Sequence, residues 1–410
     1  MIASGKDLPA AVVMGLSPTG LHVVRALGRA GVQVTGMPDG MQAGRWSRYL
    51  DRRISVVGPQ DRFQALIAFA DTDAAGSGHR PVLIPTSDQD VEFVIAHADR
   101  LATKFGFQGS YRDGLAGQIM AKDSFYALCA AHGVACPTLW QTTCDGLLGL
   151  ASDLEFPVMI KPARIHPIKD LMRGRKGWIV RDRSGLATAA AEIPPNAGTL
   201  LVQRIIAGPE SEITVYCAYV DSEGRARHQF TARKLRQYPP GFGSASLVQS
   251  HPEPETAAIA GHLLTALGYR GIAAAEFKRD PATGKHLMIE VNVRPSLWFS
   301  LSEAAGCPVV VSAYRDLAGL QDTRPERPQR HGIRWRYTAK DIWSAAFYRR
   351  NPDFVLPPPD IAVAGRPVQT VGAVWSRADP APAIAEWINY AAKGLRRIRA
   401  GRADPTGPAG

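Results

Sequence analysis

Apolar and polar residues follow a repeating pattern at the start of the chain. The segment AAVVMGLSPTGLHVVRALGRAGVQVTGM has an apolar run, a turn between two glycines, an amphipathic stretch and a second apolar run. The later segment PVLIPTSDQDVEFVIAHADRL repeats the step from an apolar run to an amphipathic stretch. Short apolar runs that alternate with amphipathic helices predict a parallel sheet. We therefore expect an α/β domain over residues 1–115.

The two strand-to-helix turns of this domain carry polar residues. The turn from Gly15 to Gly20 lacks the middle glycine of the dinucleotide-binding pattern GxGxxG, because Ser17 stands there. We interpret it as a plain tight connection. In the second turn, Asp88 and Asp90 are placed to cap the following helix. Lining a cleft at the carboxyl ends of the strands is their alternative role.

The middle of the chain has a different pattern. KDSFYALCAAHGVACP predicts a helix, FPVMIKPA a short buried strand, and ARIHPIKDLMRGRKGW a long basic loop before the next strand. Five further strands follow, and short turns join several of them. This pattern predicts an α+β region with largely antiparallel sheets. After QDTRPERPQR, which is typical of a linker, the pattern identifies no fold, and GRADPTGPAG at the end is expected to be disordered.

One predicted hairpin concentrates acidic residues. In GIAAAEFKRDPATGKHLMIEVNVRP, two strands flank a turn that contains Asp280 and Gly284. Folding about this turn brings Glu276 opposite Glu290, within about one residue of register. Two carboxylates and the amide of Asn292 suit Mg²⁺, with Mn²⁺ as an alternative, and Arg294 could neutralise a transferring phosphoryl group. The plain alternative is a solvated sheet face with ion pairs.

Two lysines supply the opposite charge. Lys161 ends an apolar strand, where an ammonium group is costly unless an anion meets it, and a phosphate is a natural partner. Lys122 opens a helix and by itself could equally be an ordinary exposed lysine. Gly174 and Gly177 favour a mobile lid in the long basic loop, whose cations would attract polyphosphate.

Net charge and cysteine content exclude several classes of protein. The formal charge is +11 over 410 residues, and most of the excess lies in two late segments. No sequence-reading motif accompanies these arginines, so we expect no specific nucleic-acid partner. No leader or membrane-spanning run is visible, and five scattered cysteines are typical of free thiols in a reducing compartment. We expect a cytoplasmic protein, and a homodimer is compatible with the sequence.

From Lys122 to about Leu320 the chain resembles the ATP-grasp superfamily. The likeness rests on the two lysines, the acidic hairpin and LVQRIIAGPESEITVY. PTSDQDVEF, RKLRQYPPGFG and IEVNVRPSLW make it similar to the carboxylate-amine ligase branch that includes D-aspartate ligase. Gln203 departs from the glutamate of many relatives, and Val293 and Ser296 depart from the commonest NPRP ending.

The resemblance implies roles for individual residues. Lys122 and Lys161 would contact the phosphates of ATP, Gln203 and Ile206 the adenine, and Glu210 the ribose, a role for which Glu212 competes. Arg233 and Lys234 would meet phosphate or a substrate carboxylate. Glu276, Glu290 and Asn292 would hold magnesium, and Lys161 and Arg294 would act in catalysis.

The fold implied is a Rossmann-like pre-ATP-grasp α/β domain followed by a two-lobed α+β ATP-grasp fold. The lobes would span residues 116–200 and 201–320, and residues 321–410 would form a basic extension with a disordered end. The function implied is an ADP-forming ligase that joins a small-molecule carboxylate to an amine through an acyl phosphate. The alternatives are an ATP-binding regulatory protein without turnover, and a protein that binds polyanions or anionic membranes through its basic carboxyl-terminal region. We expect the helix in that region to pack on the protein itself.

Overall fold

The structure is a computed structural model, and it describes residues 8–56, 58, 60–163, 177–322 and 324–403. The side chains of residues 74–77 and 393–403 are outside this description. Most of the long basic loop predicted as a lid, residues 164–176, lies outside the described residues. So do residues 404–410 of the end predicted to be disordered, whereas a helix extends to Ala403.

The amino-terminal domain contains the predicted parallel sheet. Its four strands have the order β3-β2-β1-β4, and β1 pairs in parallel with β2 and β4. The elements in chain order are β1 (Ala11–Met14), α1 (Pro18–Arg29), β2 (Val34–Met37), β3 (Arg52–Arg53), α2 (Asp61–Ser77), β4 (Val82–Pro85), α3 (Asp88–Ala96) and α4 (Ala98–Ala102).

Glycines make the first turn as tight as predicted. Gly15 has a φ of +77°, a left-handed conformation that side chains disfavour. A Cβ atom at Gly20 would lie 2.0 Å from the carbonyl oxygen of Gly15, so α1 starts directly against the end of β1.

A small lobe follows the amino-terminal domain. Its sheet has four antiparallel strands in the order β5-β8-β6-β7, packed against α7. The elements are α5 (Leu115–Met120), α6 (Lys122–Ala131), β5 (Leu139–Thr142), β6 (Val158–Pro162), β7 (Trp178–Val180), α7 (Arg183–Glu192) and β8 (Leu200–Arg204). Because β8 belongs to this sheet, the small lobe extends through Arg204, beyond the predicted boundary at residue 200.

A seven-stranded sheet forms the large lobe, in the order β13-β12-β9-β10-β11-β14-β15. The elements are β9 (Ile213–Val220), β10 (Ala226–Tyr238), β11 (Ser244–Ser250), α8 (Pro254–Ala266), β12 (Gly271–Arg279), β13 (His286–Asn292), α9 (Phe299–Ala304), α10 (Val309–Leu317), β14 (Ile333–Arg336), α11 (Thr338–Arg350), β15 (Gln369–Gly372) and α12 (Ala381–Ala403).

The central strand β9 is buried on both faces. Val215, Cys217 and Tyr219 pack into one hydrophobic cluster, and the alternate residues Tyr216 and Ala218 pack into another. Side chains of a strand alternate between faces, so one apolar run supplies both layers.

Residues after 320 are not an appendage, which corrects the predicted extension. Strand β14 pairs with β11, with Leu247 opposite Arg336, and Trp335 is fully buried. Asp341 of α11 is buried and accepts hydrogen bonds from Arg236 on β10 at 2.7 and 3.0 Å. Part of the predicted extension therefore completes the sheet of the large lobe.

Candidate active site

A cleft of about 880 Å³ lies where the three sheets approach one another. The amino-terminal domain contributes loop residues such as Ser17 and Ser87, and both lobes contribute strand residues. Nine of the residues predicted for the site line this cleft: Lys122, Lys161, Gln203, Ile206, Lys234, Glu276, Glu290, Asn292 and Arg294.

The predicted acidic hairpin is confirmed in its register. Strands β12 and β13 pair antiparallel with Glu276 opposite Glu290, and a bulge follows Glu276. The turn is held by Asp280, whose side chain accepts a hydrogen bond from the backbone of Ala282 at 3.1 Å. Asn292 donates its amide N–H to Glu290 Oε1 at 3.1 Å. Two carboxylates and an amide thus converge on the cleft.

Lys234 extends from strand β10 to this acidic pair. Its ammonium group donates to Glu276 and, at 3.1 Å, to Gln237 Oε1. Burial raises the pKa of Glu276 although Lys234 opposes the rise. Burial acts in the same direction on Glu290, but Lys122 and Lys234 outweigh it and hold the pKa of that carboxyl below its usual value. Glu290 therefore favours its charged form, and the two carboxylates can accept a further cation.

The donor set fits a magnesium ion that also binds phosphate. Mg²⁺ prefers oxygen ligands and normally keeps waters or phosphate oxygens in its coordination shell. Within the described part of the chain, no group of three or more His, Cys, Asp or Glu side chains forms a metal cage. A magnesium ion could be held here by Glu276, Glu290 and the oxygen of Asn292. Phosphate oxygens or waters would complete its coordination shell.

The two predicted lysines approach the acidic pair from the small-lobe side. Lys122, at the start of α6, donates to the carbonyl of Ile289 at 3.1 Å. Burial lowers the pKa of Lys122, and Glu290 and Glu276 oppose that shift. Lys161, near the end of β6, also lowers the pKa of Glu290. Both ammonium groups thus interact electrostatically with the acidic pair.

The segment between the lobes is held by a lysine that the sequence analysis missed. Lys278 donates to the carbonyls of Ile206 and Gly208 at 2.8 and 2.7 Å. Burial lowers the pKa of Lys278 to about 8. Because Lys278 lies two residues after Glu276 on the same strand, period-two alternation was the signal that could have revealed it.

Gln203, at the end of the small-lobe sheet, donates to the hydroxyl of Tyr126 at 3.0 Å.

Three predicted ligand-binding residues lie outside the cleft lining. Glu210 is fully buried and accepts hydrogen bonds from the backbone of Gln237, at 2.9 Å, and of Gly241. Glu212 is half-buried. Arg233 pairs with Glu253 at 2.8 Å, whereas its neighbour Lys234 lines the cleft. Adjacent strand residues point to opposite faces, so Arg233 and Lys234 lie on different sides of β10.

The amino-terminal domain meets the hairpin at the edge of the cleft. Asp88 accepts hydrogen bonds from Arg294 at 2.7 and 2.8 Å, and both residues line the cleft. The preferred capping role of Asp88 and Asp90 is wrong, because Ser87 caps α3 by accepting the backbone N–H of Asp90 at 3.2 Å. The buried side chain of Asp90 accepts a hydrogen bond from the Ser87 hydroxyl at 2.6 Å and forms an ion pair with Arg62. Cleft lining, the alternative role, is confirmed for Asp88.

The carboxyl-terminal segment also reaches the cleft. Lys340 of α11 and Leu356 line it, and the Lys340 ammonium lies 4.4 Å from the centre of the Tyr337 ring. Because the sequence pattern identifies no fold for this segment, neither residue was predicted.

These sheets and this cleft define the ATP-grasp fold, and comparisons with solved structures agree. The structure is similar to Campylobacter jejuni biotin carboxylase, solved with β,γ-ATP, with a TM-score of 0.61 and 16% identity over 81% of this chain and 75% of that one. It is also similar to N5-carboxyaminoimidazole ribonucleotide synthetase from Thermotoga maritima, with a TM-score of 0.56 and 15% identity over 78% of each chain. At these identities the likeness establishes the fold.

The sequence is similar to D-aspartate ligase from Enterococcus faecium (strain Aus0004), with 23% identity over 242 residues. The match covers 56% of this chain and 57% of the relative's length. No family model matches the chain. The predicted resemblance to the ATP-grasp carboxylate-amine ligases is confirmed. Among the described residues, no helix is long and apolar enough to cross a bilayer.

Proposed function

We propose that this chain is an ATP-dependent, ADP-forming carboxylate-amine ligase that acts through an acyl phosphate. The observation that carries the proposal is the convergence of Glu276, Glu290 and Asn292 with Lys122 and Lys161 in one cleft. The C. jejuni biotin carboxylase that this chain resembles was solved as a complex with β,γ-ATP. We infer that this cleft takes ATP with Mg²⁺, with Mn²⁺ as a substitute.

The adenosine would bind at the segment between the lobes, beside Gln203 and Ile206. Lys278 fixes this segment by holding the carbonyls of Ile206 and Gly208. For the ribose we choose Glu212, which directly precedes the cleft residue Ile213, since the buried carboxylate of Glu210 already accepts hydrogen bonds from two backbone N–H groups. The phosphates would then run toward Lys122, Lys161 and the acidic pair.

Catalysis would depend mainly on position and charge. Bound Mg²⁺ would neutralise and orient the terminal phosphate. A carboxylate oxygen of the substrate attacks the terminal phosphorus, the bond from that phosphorus to ADP breaks, and ADP leaves with the electron pair. Lys161 and Arg294 would stabilise the charge on the transferring group.

The second step forms the product bond. The amine nitrogen attacks the acyl carbon, the bond from that carbon to the phosphate oxygen breaks, and inorganic phosphate leaves. The nitrogen gives up one proton to water in this step. Closure over the cleft would protect the acyl phosphate from water.

The acid and amine would bind between the hairpin and the amino-terminal domain. There Asp88 and Arg294 stand together with the polar side chains of Ser17, Thr19 and Ser87. A carboxylate could use Arg294, and an ammonium or amine group could use Asp88. Specificity for the two substrates would therefore come from this end of the cleft, away from the nucleotide.

The experiment is ADP and phosphate release by the purified chain with Mg²⁺-ATP and carboxylates paired with amines. We expect release that requires both partners and falls at least about a hundredfold in Lys161→Ala and Glu290→Ala. Lys285→Ala and Glu92→Ala remove exposed charges outside the cleft and serve as matched controls that retain activity. Tight ATP binding with no turnover for any pair would instead favour the regulatory alternative.

A further inference from the structure

Helix α12 exposes a row of large apolar side chains. Ile384, Trp387 and Ile388 are 56%, 56% and 62% exposed. Their spacing of three and four residues puts them on one side of the helix. Trp375, shortly before the helix, is 60% exposed. Large apolar side chains grouped in this way mark an interaction surface.

The opposite side of α12 attaches the helix to the protein. Asp379, just before the helix, accepts hydrogen bonds from Arg25 at 2.9 Å and from Ser47 Oγ at 2.7 Å. Ala383 is buried, and Glu386 accepts a hydrogen bond from the Tyr337 hydroxyl. The expected packing of this helix on the protein is therefore confirmed for one side only, and the side with Ile384, Trp387 and Ile388 is left open.

The sequence around this open side is strongly basic. Between Ala381 and Ala403 the only acidic residue is Glu386, which Tyr337 already engages. The same stretch contains five basic residues, Lys393, Arg396, Arg397, Arg399 and Arg402. Arg377, just before the helix, is exposed and has no acidic partner among the described residues.

The positive charge near the exposed side of α12 favours an anionic partner over a second copy of this chain. A second copy packed symmetrically against α12 would bring like charges together. An anionic lipid surface offers apolar chains to Ile384, Trp387 and Ile388 and phosphates to the basic residues. Tryptophan and basic side chains on an amphipathic helix are typical of helices that lie in the membrane interface.

We propose that α12 and Trp375 dock this chain on the surface of an anionic phospholipid membrane. Ile384, Trp387 and Ile388 enter the headgroup region, and the net positive charge of this part of the sequence attracts the anionic surface. The attachment of α12 through Asp379 keeps the helix in place, so docking requires no unfolding of the rest of the chain. This property is separate from the proposed ligase reaction.

The test is co-sedimentation of the full chain with vesicles of phosphatidylcholine, with and without phosphatidylglycerol. We expect binding to the anionic vesicles, much weaker binding to the neutral ones, and a decrease as salt rises. The double variant Trp387→Ser, Ile388→Ser should lower the partition coefficient at least about tenfold. Leu148→Ser, which changes an exposed apolar residue of the small lobe, should bind like the unaltered chain.

Two further measurements distinguish membrane binding from misfolding of the variant and from dimer formation. Unfolding midpoints of the double variant and the unaltered chain should agree, because the altered side chains are exposed. Arg377→Glu should weaken binding at low salt while the apolar side chains remain. The proposal is overturned if the chain co-sediments with neither kind of vesicle or binds both kinds equally. It is also overturned if the chain is a dimer in sedimentation velocity and the double variant makes it a monomer.

Discussion

Arg294 and Asp88 lie 206 residues apart in sequence and form an ion pair of 2.7 Å at the edge of the cleft. The pair joins the end of the acidic hairpin to the first turn of α3. Arg294 therefore reaches the cleft already oriented by a residue of the amino-terminal domain. Under the proposed function, a substrate that approaches from this domain would meet both charges at once.

We predict that Asp88→Asn separates substrate binding from nucleotide binding. The loss of the ion pair should raise the KM for the carboxylate or the amine about tenfold, while the Kd for ATP stays unchanged. Because Asp88 is exposed, stability should change by less than about 1 kcal/mol. Steady-state kinetics and ATP titration check this, with Glu92→Gln on the same helix as the control. An equal loss of ATP affinity would place Asp88 elsewhere in the mechanism.

Substitution of Glu210 should lower stability, whereas substitution of Glu212 should weaken ATP binding. Glu210→Ala leaves two backbone N–H groups without partners and should lower the free energy of unfolding by about 1–3 kcal/mol. Glu212→Ala should leave stability nearly unchanged and weaken ATP binding several-fold. Denaturant unfolding and ATP titration of both variants distinguish the roles. ATP binding that survives Glu212→Ala unchanged would remove this residue from the ribose site.

Lys278 should give the unfolding free energy a specific pH dependence. Burial lowers its pKa from 10.5 to about 8, so between these values the unfolded chain binds the proton more readily than the folded chain. Stability from this group therefore rises as the pH increases from about 8 toward 10.5. Denaturant unfolding of Lys278→Met should lack this rise, and Lys285→Met, an exposed change in the nearby turn, should retain it. Identical slopes in the two variants would contradict the account.

Removal of the chain after Leu320 should unfold the large lobe. The deletion takes away β14, which pairs with β11, and Asp341, which holds Arg236. Asp341→Ala alone removes the buried carboxylate that pairs with the half-buried Arg236 and should lower the free energy of unfolding by about 3 kcal/mol. Circular dichroism and thermal unfolding test both changes. Removal of residues 404–410 is the control, and a stable ATP-binding fragment ending at Leu320 would show that the segment is an appendage after all.

The hairpin and the amino-terminal sheet could be predicted because their signals are local. Glu276 and Glu290 flank one short turn, so the register follows from counting residues. Strand β14 could not be predicted in the same way, because IRWR is short, carries two arginines and pairs with a strand about ninety residues earlier in the chain. Its arginines are accommodated by Asp341 and Gln249, contacts that only the folded chain brings together.

Side-chain contacts were harder to predict than strands. The spacing through GPESE does not show that the backbone N–H groups of Gln237 and Gly241 engage the Glu210 carboxylate. Ser87 rather than Asp88 became the cap because the backbone places its hydroxyl beside the N–H of Asp90. In both places, several polar residues of similar chemistry stand close together, and sequence spacing alone does not choose among them.

The most direct test of the ligase proposal follows one oxygen atom. A carboxylate labelled with ¹⁸O is incubated with its amine partner, Mg²⁺-ATP and the enzyme, and the released phosphate is analysed by mass spectrometry. Transfer through an acyl phosphate predicts one ¹⁸O atom in each phosphate that accompanies product. Product formed with unlabelled phosphate, or with the label in AMP, would contradict the proposed reaction.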